Sequence, residues 1–163
     1  MKRLTATLCL TIAVLLGSVG CDESADFQKG YTAYKGGDYA TALRNWTPLA
    51  EQGHATAQYN LGLMYRNGKG VPQNHKTAVK WYKLAAEQGH TKSQFNLGAM
   101  YYTGEGVTQD NVYAYMWYNI AASSGNETAS KNRDIVAEEM TPSRLKFAQI
   151  VARECVRKKF KGC

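Results

Sequence analysis

Shifted by 36 residues, the sequence lies over itself. Ala50-Glu51-Gln52-Gly53-His54 returns as Ala86-Glu87-Gln88-Gly89-His90. Gln58, Asn60, Leu61, Gly62, Met64 and Tyr65 return as Gln94, Asn96, Leu97, Gly98, Met100 and Tyr101. Gly68-Lys69-Gly70-Val71 matches Gly104-Glu105-Gly106-Val107, and Trp81-Tyr82 matches Trp117-Tyr118. About half of the positions in 50–85 recur in 86–121. A period of this length belongs to stacked supersecondary units, each of which buries its apolar face only against its neighbours. The expected fold is therefore all-α: an α/α solenoid of helix–turn–helix repeats.

Each unit reads as two helices. From Ala57 to Tyr65, Leu61 and Tyr65 stand four apart on one face with Gly62 beside them. Glycine costs about 1 kcal/mol in a helix interior, so its recurrence at 62 and 98 calls for a packing reason, the close approach of the partner helix. The run Asn67-Gly68-Lys69-Gly70-Val71-Pro72 ends the first helix. Ala78, Trp81, Tyr82 and Ala85 then fall at helical spacing, and Gly89 stops the second. Small residues facing large aromatics are what interlocking helices require.

The pattern A-x-x-Q-[YF]-N-L-G-x-M-Y, then G-x-G-V, then A-x-x-W-Y-x-x-A-A resembles the Sel-1-like repeat family, a relative of the tetratricopeptide repeat. Two units match it, 50–85 and 86–121, with Ser93 standing where the first has Ala57. The stretch 22–49 resembles an ordinary tetratricopeptide unit, with Gly30, Tyr34, Gly37-Asp38-Tyr39, Ala42 and Trp46 at its spacing. Gly30 and Ala42 are 12 apart, against 16 for Gly62 and Ala78, and the difference is the glycine-rich loop. The resemblance implies a non-catalytic scaffold that binds a protein or peptide on a concave face lined by first helices. Carried over by position, that face would hold Tyr59, Asn60 and Leu63, then Phe95, Asn96 and Ala99. The two repeated asparagines would either hydrogen-bond a ligand backbone or brace neighbouring helices.

Residues 122–163 read as a partial repeat and a capping helix with a cysteine tail. Glu127 to Glu139 forms a further first-type helix; Thr141 caps the next helix and Pro142 occupies its first turn. That helix runs to about Lys158, with Leu145, Ala148, Val151, Ala152, Cys155 and Val156 on one face. Lys146, Gln149, Arg153 and Arg157 lie on the other, where Ile150 breaks the pattern.

At the other end, Lys2 and Arg3 precede the uncharged, mainly apolar Leu4–Leu16. The small residues Gly17, Ser18, Val19 and Gly20 follow, so residues 1–20 read as an export signal. Ser18-Val19-Gly20-Cys21 resembles a bacterial lipobox, with Ser18 departing from the usual leucine. Cys21 is thus either acylated, anchoring a periplasmic protein to the membrane, or follows an ordinary cleavage. Asp22 resembles an inner-membrane retention mark. Cys9 leaves with the signal; if Cys21 is acylated, Cys155 and Cys163 remain as a pair in an oxidising compartment, and otherwise three cysteines remain with one unpaired. A disulfide between them requires the helix to end first and the chain to fold back, with Gly162 giving freedom.

Chemistry is sparse. H-E-x-x-H, G-x-S-x-G and the phosphate-loop motif are absent from the sequence. His54 and His90 are equivalent repeat positions, and with His75 alone besides them a zinc site is not expected. Glu138 and Glu139 are adjacent on a helix and point apart, unlike a glycosidase pair. One S-x-x-K match, Ser143 to Lys146, supports the alternative of a weak cell-wall-directed enzyme, penicillin-binding or β-lactamase-like. A permanent structural lipoprotein of an envelope complex is a third reading. The net charge of +7 accompanies no nucleic-acid motif. The expectation is a monomer without cofactor or metal, and without nucleic-acid partners.

Overall fold

A computed structural model describes residues 23–163; the segment 1–20 read as an export signal and the acylation candidate Cys21 lie outside them. The described residues form eight helices: α1 (Glu23–Lys35), α2 (Tyr39–Glu51), α3 (Ala55–Asn67), α4 (His75–Ala86), α5 (Thr91–Thr103), α6 (Asn111–Ser123), α7 (Glu127–Glu138) and α8 (Pro142–Arg157). They pack as consecutive pairs, α1 on α2, α3 on α4 and α5 on α6, and each second helix packs on the next unit's first.

Local chemistry sets the boundaries. From α2 onward every helix begins at a side-chain cap: Asp38, His54, Asn74, His90, Asp110, Asn126 and Thr141 each accept a backbone N–H of the first turn. Helices α3 and α5 end on Gly68 and Gly104 in the left-handed conformation, where the glycine N–H reaches the carbonyl of Met64 or Met100. The stop thus lies at the glycine, ahead of Pro72.

The repeated glycines do sit at a helix contact, and the partner is an aromatic ring. A Cβ on Gly62 would lie 2.5 Å from Tyr82 Cε1, and one on Gly98 2.6 Å from Tyr118 Cδ1. Gly30 faces the Trp46 indole in the same relation, so all three pairs rest on one contact. Tyr82, Trp46, Trp117 and Tyr118 are buried, along with Leu61, Leu97, Met64 and Met100. At about 1.5–3 kcal/mol for each large apolar side chain removed from water, these rings dominate the favourable term. Trp117 is buried, whereas its counterpart Trp81 is only partly buried, against the Trp46–Leu61–Met64 cluster.

The end of the stack departs from the pattern. One period beyond Gly98 stands Asp134, exposed and paired with Arg133 at 2.7 Å, so α7 offers no recess for a ring. Helix α8 instead crosses to α6, where Ala148, Ala152 and Cys155 are small enough for close approach. Val156, expected on the buried face, is 49 % exposed, because it lies a step round the helix from the contact made by Cys155. The tail leaves Val156 uncovered. Cys155 and Cys163 form a disulfide with Cα atoms 5.8 Å apart. The reversal starts before Gly162: Lys159 and Phe160 already have positive φ, and the Phe160 N–H bonds the Cys155 carbonyl at 2.9 Å. Phe160 ends up against Gly89, and the Gly162 N–H reaches Glu87 Oε1 at 3.4 Å, tying the tail to the α4–α5 turn.

Candidate functional site

The first helices share an open cleft of about 620 Å³. Phe27 and Tyr31 come from α1, Thr56, Tyr59 and Asn60 from α3, and Gly89 to Lys92 from the start of α5. Its aromatic wall is built by the helix caps. His54 Nδ1 accepts the Ala57 N–H at 3.1 Å, and His90 Nδ1 accepts the Ser93 N–H at 3.3 Å. Each ring is then covered by an aromatic from the preceding first helix: Phe27 lies 5.0 Å from His54, and Tyr59 4.8 Å from His90, centroid to centroid. The two histidines are thus structural caps.

Electrostatics fit that arrangement. Burial, then the nearby Lys92 charge, hold the His90 imidazolium below the usual histidine range, leaving Nδ1 free to accept. Burial also pushes the Tyr59 phenol up, with the Asn96 amide beside it acting the other way. Tyr31 is 46 % exposed and Lys92 exposed, so the cleft offers an aromatic face, hydroxyls, one amide and a positive edge.

Of the six residues carried over to the concave face, Tyr59 and Asn60 line this cleft. Leu63 packs partly against the central core, and Phe95 and Ala99 against the next one, where Phe95 lies 5.7 Å from Tyr118. Asn96 is buried at 8 % exposure, behind Tyr59. Sequence reasoning missed Phe27 and Tyr31. They sit where Tyr59 and Leu63 stand if the first unit is shifted by 32 residues rather than 36, as the absent glycine-rich loop requires.

The loops join the units with different chemistry at one repeated position. Lys69 lies over the rings of Tyr34 and Tyr39, 5.1 and 5.6 Å from their centroids. Its counterpart Glu105 pairs with Arg66 at 3.2 Å and approaches His75 at 3.6 Å. Elsewhere, Glu139 accepts the Tyr102 hydroxyl at 2.6 Å, while Glu138 remains exposed on α7. Ser143 Oγ meets Thr141 Oγ1 at 3.2 Å, a helix-cap contact, and no hydrogen bond joins it to Lys146 among the described residues. Among those residues no group of three or more His, Cys, Asp or Glu is placed to hold a metal, and no helix is long and apolar enough to cross a membrane.

The family model for the Sel1 repeat matches residues 55–90 and 91–126, each match opening at the start of a first helix, α3 or α5. The chain is a Sel1-repeat protein. Its fold is similar to that of a protective antigen present in uropathogenic Escherichia coli strains and displaying an SLR fold. The two superpose with a TM-score of 0.79 at 28 % identity over 86 % of this chain and 32 % of that one. A Sel1 repeat protein from Oxalobacter formigenes is similar at 35 % identity and TM-score 0.65, over 69 % of this chain and 46 % of that one. The Sel1-repeat chain thus spans less than half of either structure. No curated relative matches it.

Proposed function

We propose that this Sel1-repeat protein is a non-catalytic scaffold of the bacterial cell envelope that holds an extended segment of a protein partner across its first helices. The observation that carries the reading is the cleft of about 620 Å³ shared by α1, α3 and the start of α5. A peptide laid there meets rigid aromatic faces at Phe27, Tyr31 and Tyr59, with Asn60 and Lys92 as polar contacts. Aromatic side chains supply contact area at low entropic cost, because few rotors must be fixed. Leu63, Phe95 and Ala99 continue the face toward α5, and Asn96 supports Tyr59 from behind.

Location belongs to the same proposal. A disulfide between Cys155 and Cys163 suits an oxidising compartment, in line with the export signal of residues 1–20. Acylation at Cys21, with Asp22 next to it, would keep the protein at the inner membrane facing the periplasm. The protein acts there as a monomer, without cofactor or metal. Co-purification of tagged wild type and a Tyr31→Ala/Lys92→Glu variant from detergent-solubilised envelopes tests the reading. Both side chains are exposed, so melting temperature should hold while one wild-type partner is lost. Identical partner sets from the two forms would contradict it.

A further inference from the structure

Charge along this chain is segregated. Residues 23–141 contain eleven basic and eleven acidic side chains, and residues 142–163 contain seven basic and one acidic. The repeats are therefore neutral, and the cap carries a net +6. Glu154, its single acid, is already held by Arg157 at 2.6 Å. Arg144 leans toward Asp110 at 3.7 Å, whereas Lys146, Arg153, Lys158, Lys159 and Lys161 form no salt bridge among the described residues.

Among the described residues, four of the seven exposed large hydrophobic side chains, Tyr113, Phe147, Ile150 and Val156, lie on α8 or its neighbour α6. Phe147 is 56 % and Ile150 41 % exposed on α8, beside Tyr113 of α6. Lys146, Ile150, Arg153 and Arg157 follow one another on the outward stripe of the helix. Two shallow clefts of about 320 and 330 Å³ share Tyr113, Phe147 and Val151 and run along the α6–α8 seam, from Arg144 at one end to Lys158 at the other. The disulfide holds the tail lysines beside that seam.

We infer that the cap is a membrane-contacting surface: α8 and its tethered tail rest on anionic lipid headgroups, with Phe147 and Ile150 entering the interface. Long flexible cations interspersed with projecting apolar side chains suit a laterally mobile anionic surface, which needs no fixed geometry of acids. A second copy of the chain is a poor occupant, since its repeats carry no net charge to match the +6 of the cap. The contact is independent of the cleft across the first helices and of any lipid at Cys21.

The test places a reporter at the predicted depth. Full-length Phe147→Trp is mixed with vesicles of phosphatidylcholine alone, or of phosphatidylcholine with phosphatidylglycerol, bearing brominated acyl chains. Wild-type emission is subtracted as the tryptophan background. Emission at position 147 should shift to the blue and be quenched on the phosphatidylglycerol vesicles only. Replacing Lys158, Lys159 and Lys161 by Gln should weaken that partitioning about 100-fold, at roughly fivefold for each cation near an anionic surface. Emission unchanged by either vesicle would overturn the inference and assign the patch to an acidic protein partner. Equal quenching on both lipids, or quenching that survives the triple Gln variant, would also overturn it, because anchoring elsewhere would then explain the contact.

Discussion

Gly62 under Tyr82 and Gly98 under Tyr118 are one contact used twice, 36 residues apart. The C-terminal quarter has no further copy: Asp134 occupies the glycine's place, and α8 leaves its neighbour α7 to pack on α6. The middle of the protein therefore gains stability from a repeated shape, whereas the end relies on contacts made once. Those are the Ala148–Ala152–Cys155 stripe, the disulfide, and the Phe160–Gly89 touch. The difference shows how a repeat stack terminates. Replacing the small residue that admits the next ring makes the following helix turn back and cover what is left open.

The largest effects should come from breaking the repeated contact. Gly62→Leu and Gly98→Leu each push a side chain into a fully packed ring, and each should cost about 3 kcal/mol or more. Since stability is on the order of 5–15 kcal/mol, the double variant should fail to give a cooperative melt in circular dichroism. Asp134→Leu at the corresponding position of α7 should leave the melting temperature nearly unchanged, as that site faces solvent.

Next in size is the staple of the cap. Cys163→Ser should lower stability by about 2–3 kcal/mol, as expected for a short closed loop. Hydrogen exchange should rise in α8 and at the α4–α5 turn that the tail touches, and stay slow in α3. Uniform acceleration across all eight helices would show that cap and repeats are one cooperative unit.

Smaller again are the helix caps. Asn126→Ala should cost about 1 kcal/mol by freeing the Ala129 N–H. His90 adds a pH signature, because its folded pKa lies below the ordinary 6.5. Its contribution is complete above the unfolded value and is lost as pH falls through the folded one, since the protonated ring cannot accept from Ser93. Melting followed from neutral to acid pH should therefore decline less in His90→Asn, which keeps the cap without the titration. Least of all, Glu105→Gln should cost under about 1 kcal/mol, because both ends of its pair with Arg66 remain partly exposed.

This contrast also explains what was legible in the sequence. The helix pairs in the repeats follow from identities at a fixed period. The capping of α8 by Thr141 and the pairing of Cys155 with Cys163 follow from local signals. The turn of α8 onto α6 was not legible, because helical periodicity says which face is apolar and not which neighbour it meets. That is also why Val156 was misplaced: a wide apolar stripe has margins that only the partner helix defines. In the candidate site, Tyr59 and Asn60 were found through the repeat. Phe27 and Tyr31 were hidden by a unit four residues shorter than the others. His54 and His90 were recognised as repeated, yet nothing in the spacing announced that their Nδ1 atoms cap α3 and α5.

The central functional claim is that partners engage the first-helix face and not the second-helix face. Tyr31 and Leu84 test it directly, because they are 46 % and 45 % exposed and sit on a first and a second helix. A photo-crosslinking amino acid placed singly at each position, in cells, should join the same protein partner to the chain at position 31 and leave position 84 unlinked. Crosslinking at 84 alone, or equally at both, would contradict the account.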